Sequence, residues 1–550
     1  MRVSKTRREI LPLSARSILI AFLIGFSLVA SLTLQFNAGF KGPIVETHPL
    51  YWIILAVGIM YLLLVRKKYV YSSLIVIFFI GLSLRLIPVT HSLYPGYDPW
   101  NELASIHHIQ ATGFDLLGNY YHSSLPVLQI LLILFIPFFG EYNTIAYFGP
   151  VFGWVLAFIC LYKLGREFFS TEKTLLVLLL YACVNISAQY LTTPETIGLG
   201  IGFATVFFFH RTLARPSVKY SVATIAVFTL LVFTHHLTAL SVLAATGAIT
   251  IILMVKRVRT TNLLVWLSML LVFFAYFELY QYMLSNLLIL QIEQPLIGVP
   301  TGWPKPIWWW ILYVMPKAFL FSLLGAWIVP FAIKKKIPKP DKIFGMVSAG
   351  GFLILLGFLF PEGLPPLRVL NQFGGHFSNG VASLKRSNIL MIALAATLLI
   401  GLVTEFPMTN MNEFYLGGYW ISHTPQEVTA LHYLATNAPA GSRIVVDGRC
   451  RRVLDAFASP SRNITTIANW DAYQVYNLTS TEQAWSYCTG KDVNYVFVSN
   501  FYNIIAHFSV YSGAERFSVE QLSKFKAPDF YLFYESSDSQ VVVYSVNKQP

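Results

Sequence analysis

The chain has 550 residues, of which 55% are hydrophobic and 12% charged, with a net charge of +13. A soluble protein of this size carries about a quarter charged residues, so composition excludes a soluble globular chain. The charge does not point to nucleic acid: residues 407–550 hold 10 Lys+Arg against 12 Asp+Glu, and the surplus lies in short loops between apolar runs.

In chain order, Arg2, Lys5, Arg7, Arg8 and Arg16 place the N-terminus on the cytoplasmic side. Residues 17–36 are read as the first span, with no signal-peptide cleavage site after them. Residues 50–65 return, Arg66, Lys67 and Lys68 mark the inner face, and 69–89 cross outward. The stretch YPGYDPWNELASIHHIQATG then falls outside, gathering Asp98, Glu102, His107 and His108 in a chain that otherwise avoids charge. Titratable groups at the mouth of a membrane span are costly to place and point to function.

If both 125–140 and 143–162 spanned, three basic clusters in a row (Lys163/Arg166/Lys173, Arg211/Arg215/Lys219 and Lys256/Arg257/Arg259) would face outward. With 125–140 lying in the outer interface, all three move inside. Further spans are expected at 143–162, 174–191, 196–212, 220–235, 237–255, 262–283, 307–330, 343–360, 365–384 and 388–406. The fold class is an α-helical polytopic membrane protein of about 13 transmembrane helices with a C-terminal extracytoplasmic α/β domain. Residues 1–406 form the membrane module, with its first large external loop at 89–124, and 407–550 the soluble domain. Under this topology 24 of the 29 Lys+Arg before Pro407 lie inside.

In the soluble part, 424–437 reads as a helix with Thr424 as N-cap and Pro425 at its first position. Residues 443–447, 494–499, 530–534 and 540–546 read as strands and 518–525 as a short helix. Asn463 and Asn477 begin acceptor sequons. Cys160 and Cys183 lie in apolar runs; Cys450 and Cys488 lie where an exported domain allows one disulfide. No CxxC, HExxH or zinc-type spacing occurs.

The outer span ends collect Arg85, Asp98, Glu102, His107, His108, Glu195, His235, His236 and Arg368. Each has a second reading: Asp98-Pro99 as a helix cap, Glu102 as a residue meeting water, Glu195 as a carboxylate on a helix dipole, the arginines as snorkelling chains and the histidines as interfacial groups. A secondary transporter and an envelope-binding scaffold are the alternatives to an enzyme. Charges at span ends rather than midplane, and the absence of an inverted repeat, weigh against the first; the number of spans weighs against the second.

An outward span ending RLIP, a loop with GYDPWNE, then YHSSLPVLQILLILFIPFFG, YKLGREFF and TTPETIGLG together resemble the GT-C superfamily of polyprenyl-phosphate-sugar glycosyltransferases. The order is similar to that of protein O-mannosyltransferases and aminoarabinose transferases. The resemblance implies sugar transfer from a polyprenyl-phosphate donor, inverting, on the extracytoplasmic side of a plasma membrane, to a protein, lipid or glycan acceptor. Asp98 matches the family's general base and Glu195 its second acidic residue, and 125–140 matches its interfacial helix. Arg85, Arg368 and Lys305 are then candidates for the donor phosphate. A divalent Mg or Mn held by Asp98, Glu195 and His236 is the one cofactor it suggests. A WWDxG-type motif is absent: Trp308-Trp309-Trp310 lies in an expected span and Trp470-Asp471 lacks the rest, which weighs against oligosaccharide transfer to asparagine.

Overall fold

A computed structural model describes residues 15–34, 47–65, 68–90, 97–113, 126–184, 192–255, 261–279, 423–458, 462–503, 506, 517–526 and 528–546. The expected spans from 307 to 406, Lys305, Arg368 and Trp308-Trp309-Trp310 lie outside these residues.

The first part is helical: α1 (Ala15–Ser31), α2 (Pro49–Val65), α3 (Val70–Thr90), α4 (Tyr97–Thr112), α5 (Pro126–Phe139), α6 (Glu141–Phe148), α7 (Trp154–Phe168), α8 (Thr171–Val184), α9 (Pro194–Ala214), α10 (Val218–Val232), α11 (His236–Val255) and α12 (Thr261–Leu279). Each expected span up to residue 283 overlaps helix among the described residues, and 143–162 runs through α6, a turn at Gly149–Gly153 and α7. Among the described residues three helical stretches are long and apolar enough to cross a membrane, Val70–Ile87, Glu141–Phe168 and Pro194–Ala214. The bundle is built outward from two central helices: α3 packs on α1 and α8, and α9 packs on α7, α10 and α11.

Small residues set these contacts, because lipid supplies no hydrophobic drive between helices and close packing must replace it. A Cβ on Gly81 would lie 2.1 Å from the Trp154 ring, and one on Gly200 would lie 2.6 Å from Leu156. On the other face of α9, a Cβ on Gly198 would lie 2.9 Å from the His235 Cβ. The GLGIG run thus lets α7 and α11 close on opposite sides of one helix.

Helix α5 has 14 residues, a rise of about 21 Å at 1.5 Å per residue and short of the ~30 Å hydrocarbon core. Leu128, Gln129 and Leu132 are buried, whereas Leu134, Phe138 and Phe139 are exposed. Gly140, at φ 77 and ψ 161, turns the chain from α5 into α6 through a conformation that only glycine adopts readily. Between α6 and α7 the helix continues through a π-turn at Gly149–Gly153. There the Gly149 N–H donates to Thr192 Oγ1 at 2.8 Å.

Residues 423–546 form an α/β unit. Its five-stranded sheet has the order β2-β1-β3-β5-β4, from β1 (Arg443–Val445), β2 (Thr465–Thr466), β3 (Tyr495–Ser499), β4 (Tyr531–Glu535) and β5 (Val541–Ser545). β2, β1 and β3 run parallel, and β5 and β4 complete it antiparallel. β3 is buried along all five residues, as a central strand covered on both faces must be. The helices are α13 (Pro425–Asn437), α14 (Gly448–Phe457), α15 (Asn469–Asn477), α16 (Thr481–Gly490) and α17 (Val519–Ser523). Thr424 caps α13 through a reciprocal capping box with Glu427. The four expected strands and two helices all form; β2 and α14 to α16 were not anticipated. Cys450 and Cys488 are buried free thiols, so the disulfide does not form; each packs as a small hydrophobe in the domain's core.

Candidate functional site

The stretch around Asp98 folds as α4, and the helix begins at Tyr97, so Asp98 lies in its first turn rather than at the cap. Its apolar residues divide between two cores. Ile106 joins the core of the helical bundle, whereas Trp100 and Leu103 join that of the C-terminal domain. The wholly buried Trp100 ring meets Tyr142, His423 and Phe457 edge-to-face at centroid distances of 5.9, 5.9 and 5.7 Å. Helix α4 is therefore a wedge shared by both parts of the protein.

Glu102 is wholly buried and accepts a hydrogen bond from Gln129 Nε2 of α5 at 2.5 Å. It does not meet water, which removes the bland reading of this residue. His107 lies between Ala456 O of α14, 2.5 Å from Nδ1, and Glu141 Oε1 of α6, 2.9 Å from Nε2. The bond to Glu141 raises the His107 pKa above its ordinary value, against the opposing effect of burial. His108 is half-buried on the same helix.

Under α4 lies a buried ionic network. Arg449 donates to both oxygens of Glu427, at 2.9 and 2.6 Å, and through Nε to Asp447 at 3.3 Å. Asp447 caps α14 by accepting from the Cys450 N–H, and Arg449 O accepts from His423 Nε2 at 3.0 Å. Burial, with Arg449 nearby, lowers the His423 pKa to about 4, so a neutral ring packs edge-to-face with Trp100.

A second group forms where α9 and α11 begin. Pro194 starts α9 with Glu195 in its first turn, half-exposed. Glu195 shares a helix face with Gly198, three residues on, where the His235 Cβ makes its close approach. His235 Nδ1 lies 2.7 Å from Thr238 Oγ1, and the His235 and His236 rings are 5.6 Å apart. The π-turn holds this corner from below, since Thr196 packs on Gly153. Among the described residues no three His, Cys, Asp or Glu side chains gather into a metal-binding group. The Asp98 side chain lies outside those residues, so the expected set of Asp98, Glu195 and His236 is represented only by its last two members.

Arg85 stands apart from both groups. It is wholly buried in the bundle, donating to Gly81 O and Ala182 O at 2.9 and 3.1 Å, with its guanidinium 4.1 Å from the Trp154 ring centroid. It is therefore a packed residue rather than a snorkelling one.

The His107–Glu141 contact and the Glu195–His235–His236 corner lie at one end of the bundle. At the other end Arg211 of α9 pairs with Glu167 of α7, beside Arg166 and Lys163. The N-terminal ends of the α6–α7 rod and of α9, bearing Glu141 and Glu195, thus lie together at the opposite end. Along that rod Glu141 and the Thr192-bonded Gly149 are eight residues apart, about 12 Å. Glu141 and Gln129 were not singled out from the sequence. Glu141 was legible as a lone carboxylate directly after a long apolar run and a glycine; Gln129 had no signal beyond polarity within that run.

Residues 122–280 match the family model of dolichyl-phosphate-mannose-protein mannosyltransferases. No curated protein matches the chain by sequence. Among solved structures, the apo oligosaccharyltransferase of Archaeoglobus fulgidus superposes with a TM-score of 0.52 at 12% identity, over 88% of this chain and 75% of that one. The oligosaccharyltransferase AglB from the same organism, in complex with an inhibitory peptide and a dolichol-phosphate, gives 0.51 at 13% identity, with the same coverage. ArnT of Cupriavidus metallidurans bound to undecaprenyl phosphate gives 0.48 at 11%, over 91% of this chain and 99% of that one. The match over 122–280 is thus a likeness to that family within the helical part, and the likeness to the oligosaccharyltransferase across most of the chain is one of fold.

Proposed function

We propose that the chain transfers a sugar from a polyprenyl-phosphate donor to an acceptor hydroxyl on the extracytoplasmic face of a plasma membrane. The observation that carries this reading is α4, a helix that bears Asp98 in its first turn and is held along its length by two cores, at the end of the bundle that also bears Glu195 and the His235-His236 pair. The dolichol-phosphate bound by AglB, a neighbour in fold, supports the class of donor. The opposite end carries Lys163, Arg166 and Arg211, which supports placing it in the cytoplasm. The length and half-exposed apolar face of α5 support its lying along the outer interface. In this account residues 1–406 are the catalytic module and 407–550 an extracytoplasmic domain.

In the proposed step Asp98 accepts the proton of the acceptor hydroxyl as its oxygen attacks the anomeric carbon. The bond from that carbon to the phosphate oxygen breaks, its electron pair leaves with the polyprenyl phosphate, and the anomeric centre inverts. General-base assistance of this kind accelerates transfer by about 10²–10⁴-fold. Glu102, fixed by Gln129, supports the first turn of α4, and Glu195 orients the acceptor. Cationic side chains, with Arg368 and Lys305 as candidates, stabilise the departing phosphate, whereas the buried Arg85 holds the helices together. The sugar and the kind of acceptor are set by residues that carry no signature in this sequence.

The test is thermal stabilisation of the detergent-purified protein by a series of polyprenyl phosphates, for wild type, Arg368→Ala, Lys305→Ala and Asp98→Asn. The account expects saturable stabilisation that the Arg368 and Lys305 substitutions weaken and Asp98→Asn retains. No stabilisation at any chain length would overturn it.

A further inference from the structure

We propose that His107, as an imidazolium bonded through both ring nitrogens, is the positioning residue that ties the Asp98-bearing helix to the C-terminal domain. Its two partners are a backbone carbonyl and a carboxylate, and neither brings a proton to the contact. A neutral ring has one N–H and satisfies one of them; only the doubly protonated ring donates to both.

The surroundings favour the cation twice over. Ala456 lies in the last turn of α14, where carbonyls lack intrahelical partners and the helix dipole is negative. Glu141 is the first residue of α6 and directly follows the Gly140 turn. One ring therefore joins α4, α6 and α14, three elements from both parts of the chain. The shifted His107 pKa agrees with this geometry.

The other charged groups on the packed elements are few. Asp98, Glu102 and His108 share α4, with Glu102 turned to Gln129, and α5 carries none. On α13, His432 acts on Glu141 with the same sign as His107. On α14, Asp455 pairs with Arg451 and Arg452 at 3.6 and 3.9 Å. The tie is thus complete at low pH and loses one of its two bonds as pH rises through the raised His107 value.

The positioning role rests on the Asp98 reading, whereas the tie does not, and the experiment separates them. Hydrogen exchange of the full chain, corrected for intrinsic rates, is followed from about pH 5.5 to about pH 8.5, which brackets histidine titration. In wild type, protection of residues 100–112 and 450–457 falls with rising pH. In His107→Gln it is low and flat, and in Glu141→Gln the fall moves to lower pH. In donor turnover, His107→Gln lowers kcat about ten- to a hundredfold and leaves the donor KM unchanged. Equal protection in wild type and His107→Gln at every pH would overturn the tie. Lost protection with an unchanged kcat would overturn the positioning role. A wild type inactive with every polyprenyl donor would instead overturn the proposed reaction, leaving the exchange result to judge the tie alone.

Discussion

Trp100→Ala is the most direct way to part α4 from the C-terminal domain. The ring is wholly buried and makes three edge-to-face contacts, two of them with His423 and Phe457 of that domain. A tryptophan buries roughly 200 Å², worth about 5 kcal/mol at about 25 cal/mol per Å². Truncations of this kind cost about 3–5 kcal/mol once the cavity partly collapses. The loss falls on docking rather than on either core alone, so the undocked fraction rises between about 100-fold and about 5,000-fold. Trp100→Phe keeps an aromatic edge in the pocket and should lose about 1–2 kcal/mol. Hydrogen exchange over residues 423–457, with limited proteolysis of the full-length protein in detergent, reads the change. Faster exchange there, with α9 and α11 still protected, is the expected result. Unchanged exchange at 423–457 in Trp100→Ala would refute the view of α4 as a shared wedge.

Three further outcomes follow from the geometry. Arg449→Met strands Glu427 and Asp447 without their buried cation and should destabilise the C-terminal domain by about 3–5 kcal/mol, read as a lower Tm. Gly198→Ala brings a Cβ within 2.9 Å of the His235 Cβ, which cannot swing aside; it should cost about 1–3 kcal/mol and, by parting Glu195 from the histidines, lower turnover in protein that still folds. His423 is held neutral by burial, with a pKa of about 4 against 6.5 for the free side chain. The unfolded chain takes up that proton first, so stability is full above pH 6.5 and declines as pH falls toward about 4. Tm measured against pH should show this decline in wild type and a shallower one in His423→Gln.

Much of the helical layout was legible because period and length are local properties. Runs such as 69–89 and 196–212 have no alternative to a buried or membrane-crossing helix, and the Thr424-Pro425 start of α13 is written in four residues. Strand β3 could be read from YVFVS for the same reason. What sequence could not show is which residues meet. Glu102 looked as suited to water as to a site until Gln129, 27 positions on, closed over it. His107 read as an interfacial histidine because its partners lie 34 and 349 positions away. Arg85 looked like a snorkelling or phosphate-facing cation, yet the small Gly81 lets Trp154 come in beneath it. The division of α4 between two cores is a tertiary fact that no periodicity encodes. Helices α14 to α16 are only 9 or 10 residues long, too short for their patterns to stand out without the core they join.

The central claim is that Asp98 acts as the base in transfer from a polyprenyl-phosphate donor. It is tested most directly by single-turnover release of polyprenyl phosphate from a bound donor, for wild type and Asp98→Asn, with donor binding measured on the same preparations. The account predicts equal donor binding and release slowed by about 10²–10⁴-fold in Asp98→Asn. Release at the wild-type rate from Asp98→Asn would contradict it.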